Sequence, residues 1–197
     1  MLLNRVETLM MNNPVRSLSQ RRFEAERLER LGGRTPGAHV LEVGCGRGVG
    51  VEILLERFGA ATVDAFDLDP RMVLQARDRL RPRGDRVRLH VGDVTAIPAA
   101  DATYDAVFDF GIIHHVPDWR AALREIHRVL KAGGRFFAEE VHARFIHHPI
   151  WSRLLDHPRE DRFDHAGFLR GLDAAGFSIV AATPLLGWFG WYVADRV

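Results

Sequence analysis

Residues 40–50 read Val-Leu-Glu-Val-Gly-Cys-Gly-Arg-Gly-Val-Gly. A short apolar run carrying one acid, Glu42, breaks into glycines at Gly44, Gly46, Gly48 and Gly50, and an apolar run from Val51 to Phe58 follows at helical spacing. Strand, tight glycine turn and helix together bring backbone N–H groups and a helix N-terminus up to a ligand. This unit points to a layered α/β fold in which later strands extend the same sheet.

The rest of the chain reads that way. Val40–Val43 is a first strand and Arg47–Phe58 a first helix. Thr62–Asp67 is a second strand, and Asp69–Pro70 starts a helix to Leu80 with an N-cap acid and a first-turn proline. Arg86–Val91 alternates polar and apolar residues as a third strand, and Asp105–Phe110 is a fourth. Trp119–Leu130 has one apolar side and reads as a helix ended by Lys131 and Gly133–Gly134. Arg135–Val141, Phe177–Thr183 and Trp191–Asp195 are the remaining strands, with a helix over Asp164–Ala175. Strands alternating with helices of this length imply a three-layer α/β domain with a mainly parallel sheet.

Ahead of the sheet, Met1 to Leu31 reads as helix in two pieces broken at Pro14. In the second piece Phe23, Leu28 and Leu31 form the apolar side, and Arg21, Arg22, Glu24, Glu26, Arg27, Glu29 and Arg30 face water in i,i+3/i+4 pairs. Gly32–Gly33 ends it. The chain of 197 residues therefore divides into a helical cap, 1–33, and a core, 38–197, of a single domain.

The composition excludes several classes. The 27 basic and 26 acidic residues nearly cancel, which gives no case for nucleic acid. Cys45 is the one cysteine, so neither an internal disulfide nor a cysteine-rich metal site is available. The N-terminal stretch lacks the apolar core of a signal peptide, and the longest apolar run, Pro184 to Ala194, is too short to span a bilayer as a helix. The expectation is a cytoplasmic protein, monomer or homodimer. The aromatic residues Trp151, Trp188, Phe189 and Trp191 leave room for an apolar substrate pocket or a peripheral membrane contact.

Ligands of an open parallel sheet bind beyond the carboxyl ends of the strands, where the strand order reverses. Glu42 lies at the end of the first strand, Asp67 ends the second, and Asp93 follows the third. Surface solvation explains any one of these acids, but poorly explains all three in phase with the strand ends. The glycine turn fails the G-x-G-x-x-G dinucleotide fingerprint, because Val49 or Val51 occupies the third glycine position. Glu42 would also repel a pyrophosphate. It suits a cationic amino group, Asp67 suits a ribose diol, and Asp93 suits an adenine amine. A ligand with those three groups and no phosphate is S-adenosylmethionine.

The segments Val40–Gly48, Asp64–Met72 (D-A-F-D-L-D-P-R-M), Val91–Val94 (V-G-D-V) and the run Tyr104–Gly134 make the chain similar to the class I S-adenosylmethionine-dependent methyltransferases. The resemblance is to the small-molecule branch that includes ubiquinone- and menaquinone-biosynthesis-type enzymes. It implies a Rossmann-like αβα sandwich with a seven-stranded sheet in the order 3-2-1-4-5-7-6, the last strand antiparallel. It implies that Glu42 with Gly44, Cys45 and Gly46 holds the methionine part of the cofactor. Asp67 would take the ribose hydroxyls, Leu68 would pack on adenine, and Asp93 and the Val94 N–H would meet its polar edge. Phe110 and Gly111 would return to the methionine end. Asp109–Phe110–Gly111 departs from the small polar residues of many relatives.

On the acceptor side, one of His114–His115 is expected to face the cleft, and relatives favour His115; both being structural is an equal alternative. Glu140 and His142 follow the fifth strand, and His142 is in the pKa range of a base, although an exposed loop histidine is the plainer reading. His142, His147 and His148 lack a matched acid pair, so no metal site is expected. Cys45 reads as a small packing residue. The expected function is methyl transfer to a small, apolar or aromatic metabolite, with the N-terminal helices as a lid. The alternatives are a non-catalytic cofactor-binding scaffold and, less favoured, an NAD(P)-dependent oxidoreductase.

Overall fold

The computed structural model describes residues 14–149, 151 and 160–197; the first thirteen residues of the expected cap and most of the 150–159 stretch lie outside the described residues. The first helix, α1, has three segments: α-helical Pro14–Ser19, a π turn at Gln20–Glu24, and α-helical Ala25–Gly32. Strand β1 (His39–Val43) follows, then α2 (Val49–Ile53, continued by a π turn at Leu54–Phe58), β2 (Thr62–Asp67) and α3 (Pro70–Leu80). Next come β3 (Val87–Val91), β4 (Tyr104–Phe110), a single 3-10 turn at Ile113–His115, and α4 (Trp119–Val129). The chain then runs through β5 (Leu130–Val141), the one-turn α5 (Ala143–Ile146), α6 (His165–Ala174), β6 (Phe177–Leu185) and β7 (Phe189–Arg196).

The seven strands lie in the order β3-β2-β1-β4-β5-β7-β6. Pairings among β1 to β5 are parallel, and β7 runs antiparallel to both β5 and β6. The expected fold and strand order are those observed. The order reverses between β1 and β4, with Val43 beside Phe66 on one side and beside Asp109 on the other. The carboxyl ends of β1, β2 and β4 are thereby brought level.

Strand alternation assigns each residue to one of two cores. Leu41, Val43, Phe136 and Trp119 belong to one, and Val40, Val51, Phe108 and Phe137 to the other. Phe108 and Phe137 stack at 4.3 Å, with Phe58 edge-on against both. By the same alternation Glu42 points to the Val40 face, beneath α2. Space for its carboxyl exists because residue 50 is glycine: a Cβ there would run into Glu42 and Phe110.

Three boundaries differ from the sequence reading. Gly48 adopts φ 82° as the N-cap of α2, so that helix starts at Val49 rather than Arg47. Strand β5 begins at Leu130, and its register against β4 shifts before Arg135, so Lys131–Gly134 forms an irregularity within the strand rather than a separate turn. The apolar run Pro184–Ala194 is the β6–β7 turn and its flanks.

The face of α1 also differs. Phe23 is 55% exposed, whereas Glu24 is 6% exposed and takes hydrogen bonds from Arg16 and from Ser19 Oγ (3.0 Å). A π turn holds more residues than an α turn. It therefore rotates the following positions relative to the 3.6-residue pattern from which the apolar side was read.

Candidate active site

A cavity of about 420 Å³ opens beyond the carboxyl ends of β1, β2 and β4. Its walls include Glu42, Gly44, Cys45, Gly46, Asp67, Leu68, Asp93, Val94, Phe110 and Gly111, together with Ile112 and His115. All ten residues expected at the cofactor are thus brought together. Segment Pro14–Ser19 of α1 and its π turn add Arg16, Ser17 and Gln20 to the wall.

The glycine turn is shaped by close approach. Gly44 has φ 72°, and a Cβ on it would strike the Ile112 side chain. Cys45 N–H donates to the Phe66 carbonyl (2.8 Å), tying the turn to β2. The Cys45 thiol is buried and pushed well up by desolvation, then by Glu42 and Asp67.

Glu42 is 2% exposed, and its Oε2 has no hydrogen-bond partner among the described residues. Burial, then the charges of Asp67 and Asp109, raise its pKa well above the ordinary carboxylate range. An acid strained in this way stabilises an incoming cation, and an ammonium group supplies both the charge and the donors that the site lacks.

Asp67 is already oriented. Gly46 N–H donates to its Oδ2 (2.8 Å) and Asp69 N–H to its Oδ1 (2.9 Å). Burial raises its pKa, and those two N–H groups work against the rise. Each oxygen keeps a lone pair, the requirement for receiving two vicinal hydroxyls. Asp93 is exposed at the rim, and Thr95 N–H and Oγ both donate to its Oδ1 (2.8 Å each). Leu68, 42% exposed, offers an apolar surface beside it. Glu42, Asp67, Leu68 and Asp93 all line the one cavity. The donor and acceptor set fits the amino group, ribose and adenine of S-adenosylmethionine.

Comparison with known proteins agrees. Residues 40–134 match the family described as a methyltransferase domain. Its curated relatives are named as methyltransferases, one of them, from Mycolicibacterium smegmatis, as a probable S-adenosylmethionine-dependent methyltransferase. The ubiquinone biosynthesis O-methyltransferase of Xanthomonas axonopodis pv. citri is 40% identical over 102 residues, covering 51% of this chain and 42% of that protein. The demethylmenaquinone methyltransferase of Alkalihalophilus pseudofirmus is 31% identical over 129 residues, covering 64% and 54%. The chain spans about half the length of these curated relatives, or less. A methyltransferase structure from Aquifex aeolicus superposes with a TM-score of 0.77 at 20% identity, covering 98% of this chain and 99% of that one, and so shares the fold.

Two of the three residues expected on the acceptor side do not line the cavity. Glu140 is fully buried beneath the cavity. Its Oε1 accepts from Ile113 N–H (2.7 Å), and its Oε2 accepts from His114 N–H (3.1 Å) and pairs with His114 Nδ1 (2.7 Å). Burial raises the pKa values of both Glu140 and its neighbour Asp109, and Asp109 rises further against the charge of Glu140. The hydrogen bond between the two raises Asp109 and works against the rise of Glu140. His142 is fully buried rather than on an exposed loop; its Nε2 lies 2.7 Å from the Tyr192 hydroxyl, and burial lowers its pKa. Neither residue lines the cavity. His115 does, while His114 packs beneath.

Sequence reasoning missed Arg16, Ser17 and Gln20. The α1 pattern hid them, because the π turn sets which side of the helix meets the sheet. Among the described residues no group of three or more His, Cys, Asp or Glu is placed to hold a metal ion, and no helix is long and apolar enough to cross a membrane.

Proposed function

We propose that the protein transfers a methyl group from S-adenosylmethionine to a small, apolar or aromatic acceptor. The observation that carries this reading is the buried Glu42 carboxyl in the cavity wall, its Oε2 without a hydrogen-bond partner among the described residues, one strand away from an Asp67 held by two backbone N–H groups. When bound, the cofactor supplies a methyl already activated by its sulfonium. The chain has only to position the acceptor in line and keep water out.

In this reading Glu42 holds the ammonium group, and Arg16 and Arg47 on the cavity wall supply positive charge for the carboxylate. Asp67 holds the ribose, Leu68 packs on adenine, and Asp93 with Val94 meets its polar edge. Segment 14–24 of α1 acts as the lid. His115 faces the acceptor beside Ile112 and Val116. It takes the proton of an acceptor that arrives as a hydroxyl or acidic carbon. The apolar residues around it and the quinone-pathway names of two relatives favour a ring-bearing acceptor.

Calorimetry with S-adenosylmethionine and S-adenosylhomocysteine tests the cofactor. Saturable binding of both is expected, and binding of neither overturns the proposal. Turnover over a panel of quinols, phenols, thiols and amines tests the transfer; cofactor binding without turnover of any class would favour the scaffold alternative.

A further inference from the structure

The turn that carries His115 is held from both ends by groups that never reach the cavity. At its start, the buried Glu140 carboxyl accepts the N–H groups of Ile113 and His114. At its end, Arg162 donates through Nη1 to the carbonyls of His114 (2.9 Å) and Val116 (3.0 Å), and through Nη2 to that of Pro117 (3.1 Å). A carboxyl group meets the N–H end of the 3-10 turn and a guanidinium meets the C=O end. The guanidinium has the sign that complements the peptide dipoles at its end, and bonds to an ionised partner are the stronger kind.

Arg162 is itself fixed. Its Nε donates to the Glu160 carbonyl (2.8 Å). The next residue back, Asp161, has φ 51°, an uncommon conformation for a non-glycine residue. Two contacts hold it there: Trp119 Nε1 donates to its carbonyl (2.9 Å), and Arg120 pairs with its carboxylate. On the other side, buried Phe163 packs edge-on against Trp119 at 4.9 Å, and its carbonyl accepts from Ala143 N–H (2.8 Å). Residues 160–163 therefore form a strap, pinned before and after Arg162. Backbone strain that the surroundings over-determine is a marker of a functional constraint.

We propose that Arg162 is a positioning residue: from outside the cavity it clamps the carbonyls of His114, Val116 and Pro117, and so fixes where His115 stands in the acceptor wall. The proposal rests on the methyltransferase reading for what His115 does, but the clamp can be measured without an acceptor. Ile112, Ile113, His114, His115 and Val116 all have hydrogen-bonded amides, so the turn can be followed by exchange.

The test uses the full chain with Arg162→Met and Arg162→Lys, and Arg162→Gln should the methionine variant fail to fold. Three quantities are read: amide exchange over residues 112–116 against that of β4, the titration of the His115 ring by NMR (assigned by its loss in His115→Ala), and S-adenosylhomocysteine binding. In Arg162→Met, exchange over 112–116 should rise about tenfold or more, the scale expected for losing hydrogen bonds to a charged group. The β4 amides should hold, the His115 midpoint should move, and the lysine variant should recover part of each change. S-adenosylhomocysteine affinity should stay within about twofold, because Arg162 is not in the cavity wall. Unchanged exchange with an unchanged His115 titration overturns the clamp. Equal acceleration in β4 also overturns it, since Arg162 would then serve global stability alone. Failure of the parent protein to bind S-adenosylhomocysteine would instead overturn the methyltransferase reading, a result separate from the exchange data.

Discussion

Replacing Glu42 by glutamine keeps the size of the side chain and removes its charge. Oε2 of Glu42 has no hydrogen-bond partner among the described residues, and Glu42 is 2% exposed, so little water competes for it. A hydrogen bond to a charged group contributes ~1.5–3 kcal/mol, and at 1.4 kcal/mol per decade that is a loss of ~10- to 150-fold in S-adenosylhomocysteine affinity. 5′-Methylthioadenosine has the same nucleoside and lacks the amino-acid portion with its ammonium group, so its affinity should not change. The pH dependence gives a second arm. Burial raises the folded-state pKa of Glu42 above its ordinary 4.5. The folded protein then holds a proton that the unfolded chain gives up, and this carboxyl contributes a loss of stability as pH rises from the ordinary value towards the raised one. Removing the acid should make the free protein's Tm fall less as pH rises above the ordinary carboxylate value. For the same reason S-adenosylhomocysteine should bind the parent more tightly as pH rises above the ordinary carboxylate value, since the ion pair needs Glu42 deprotonated, and that slope should flatten in Glu42→Gln. Calorimetry with both ligands and a Tm series with pH measure all of this. Equal weakening of the two ligands, or undiminished S-adenosylhomocysteine binding, would refute the assignment of Glu42 to the ammonium group.

Other substitutions separate the remaining roles. Asp67→Ala removes the ribose acceptor and leaves the Gly46 and Asp69 N–H groups without their partner, so S-adenosylhomocysteine and 5′-methylthioadenosine should both weaken about tenfold or more by calorimetry. His115→Gln should lower kcat by ~10²–10⁴ for an acceptor that must lose a proton, while cofactor affinity measured by titration stays put; an unchanged kcat would remove His115 from the reaction. Gly171→Ala would drive a methyl into the Trp119 ring, which packs against α6; a loss of ~1–3 kcal/mol in denaturant unfolding is expected, as for other overpacked core sites.

The cofactor half of the site was legible in the sequence because it is built from local signals. The glycine turn, the acid two residues before it and the acids at strand ends each sit within a few residues of the strand that positions them, and the two-residue period of a strand fixes the side to which each points. Even the need for glycine at residue 50 is visible as a pattern, although its cause, the Glu42 carboxyl occupying the space of a Cβ, is a contact between β1 and α2. The acceptor half was legible only in part. His115 was a candidate from the paired histidines, but nothing local distinguishes it from His114. The choice is made by Glu140, which holds His114 from a different strand.

The sequence alone determined the α/β class, the places where strands end and which acids stand at those ends, because hydrophobic period and turn chemistry act over a few residues. Tertiary structure decided which polar groups are buried. Glu140 and His142 look like loop acid and base, yet Glu140 satisfies the turn after β4 and His142 meets Tyr192 on β7. The π turn in α1 moved Glu24 inward and Phe23 outward. These outcomes depend on partners far apart in the chain, and burial penalises a polar group only when the fold has decided what lies beside it.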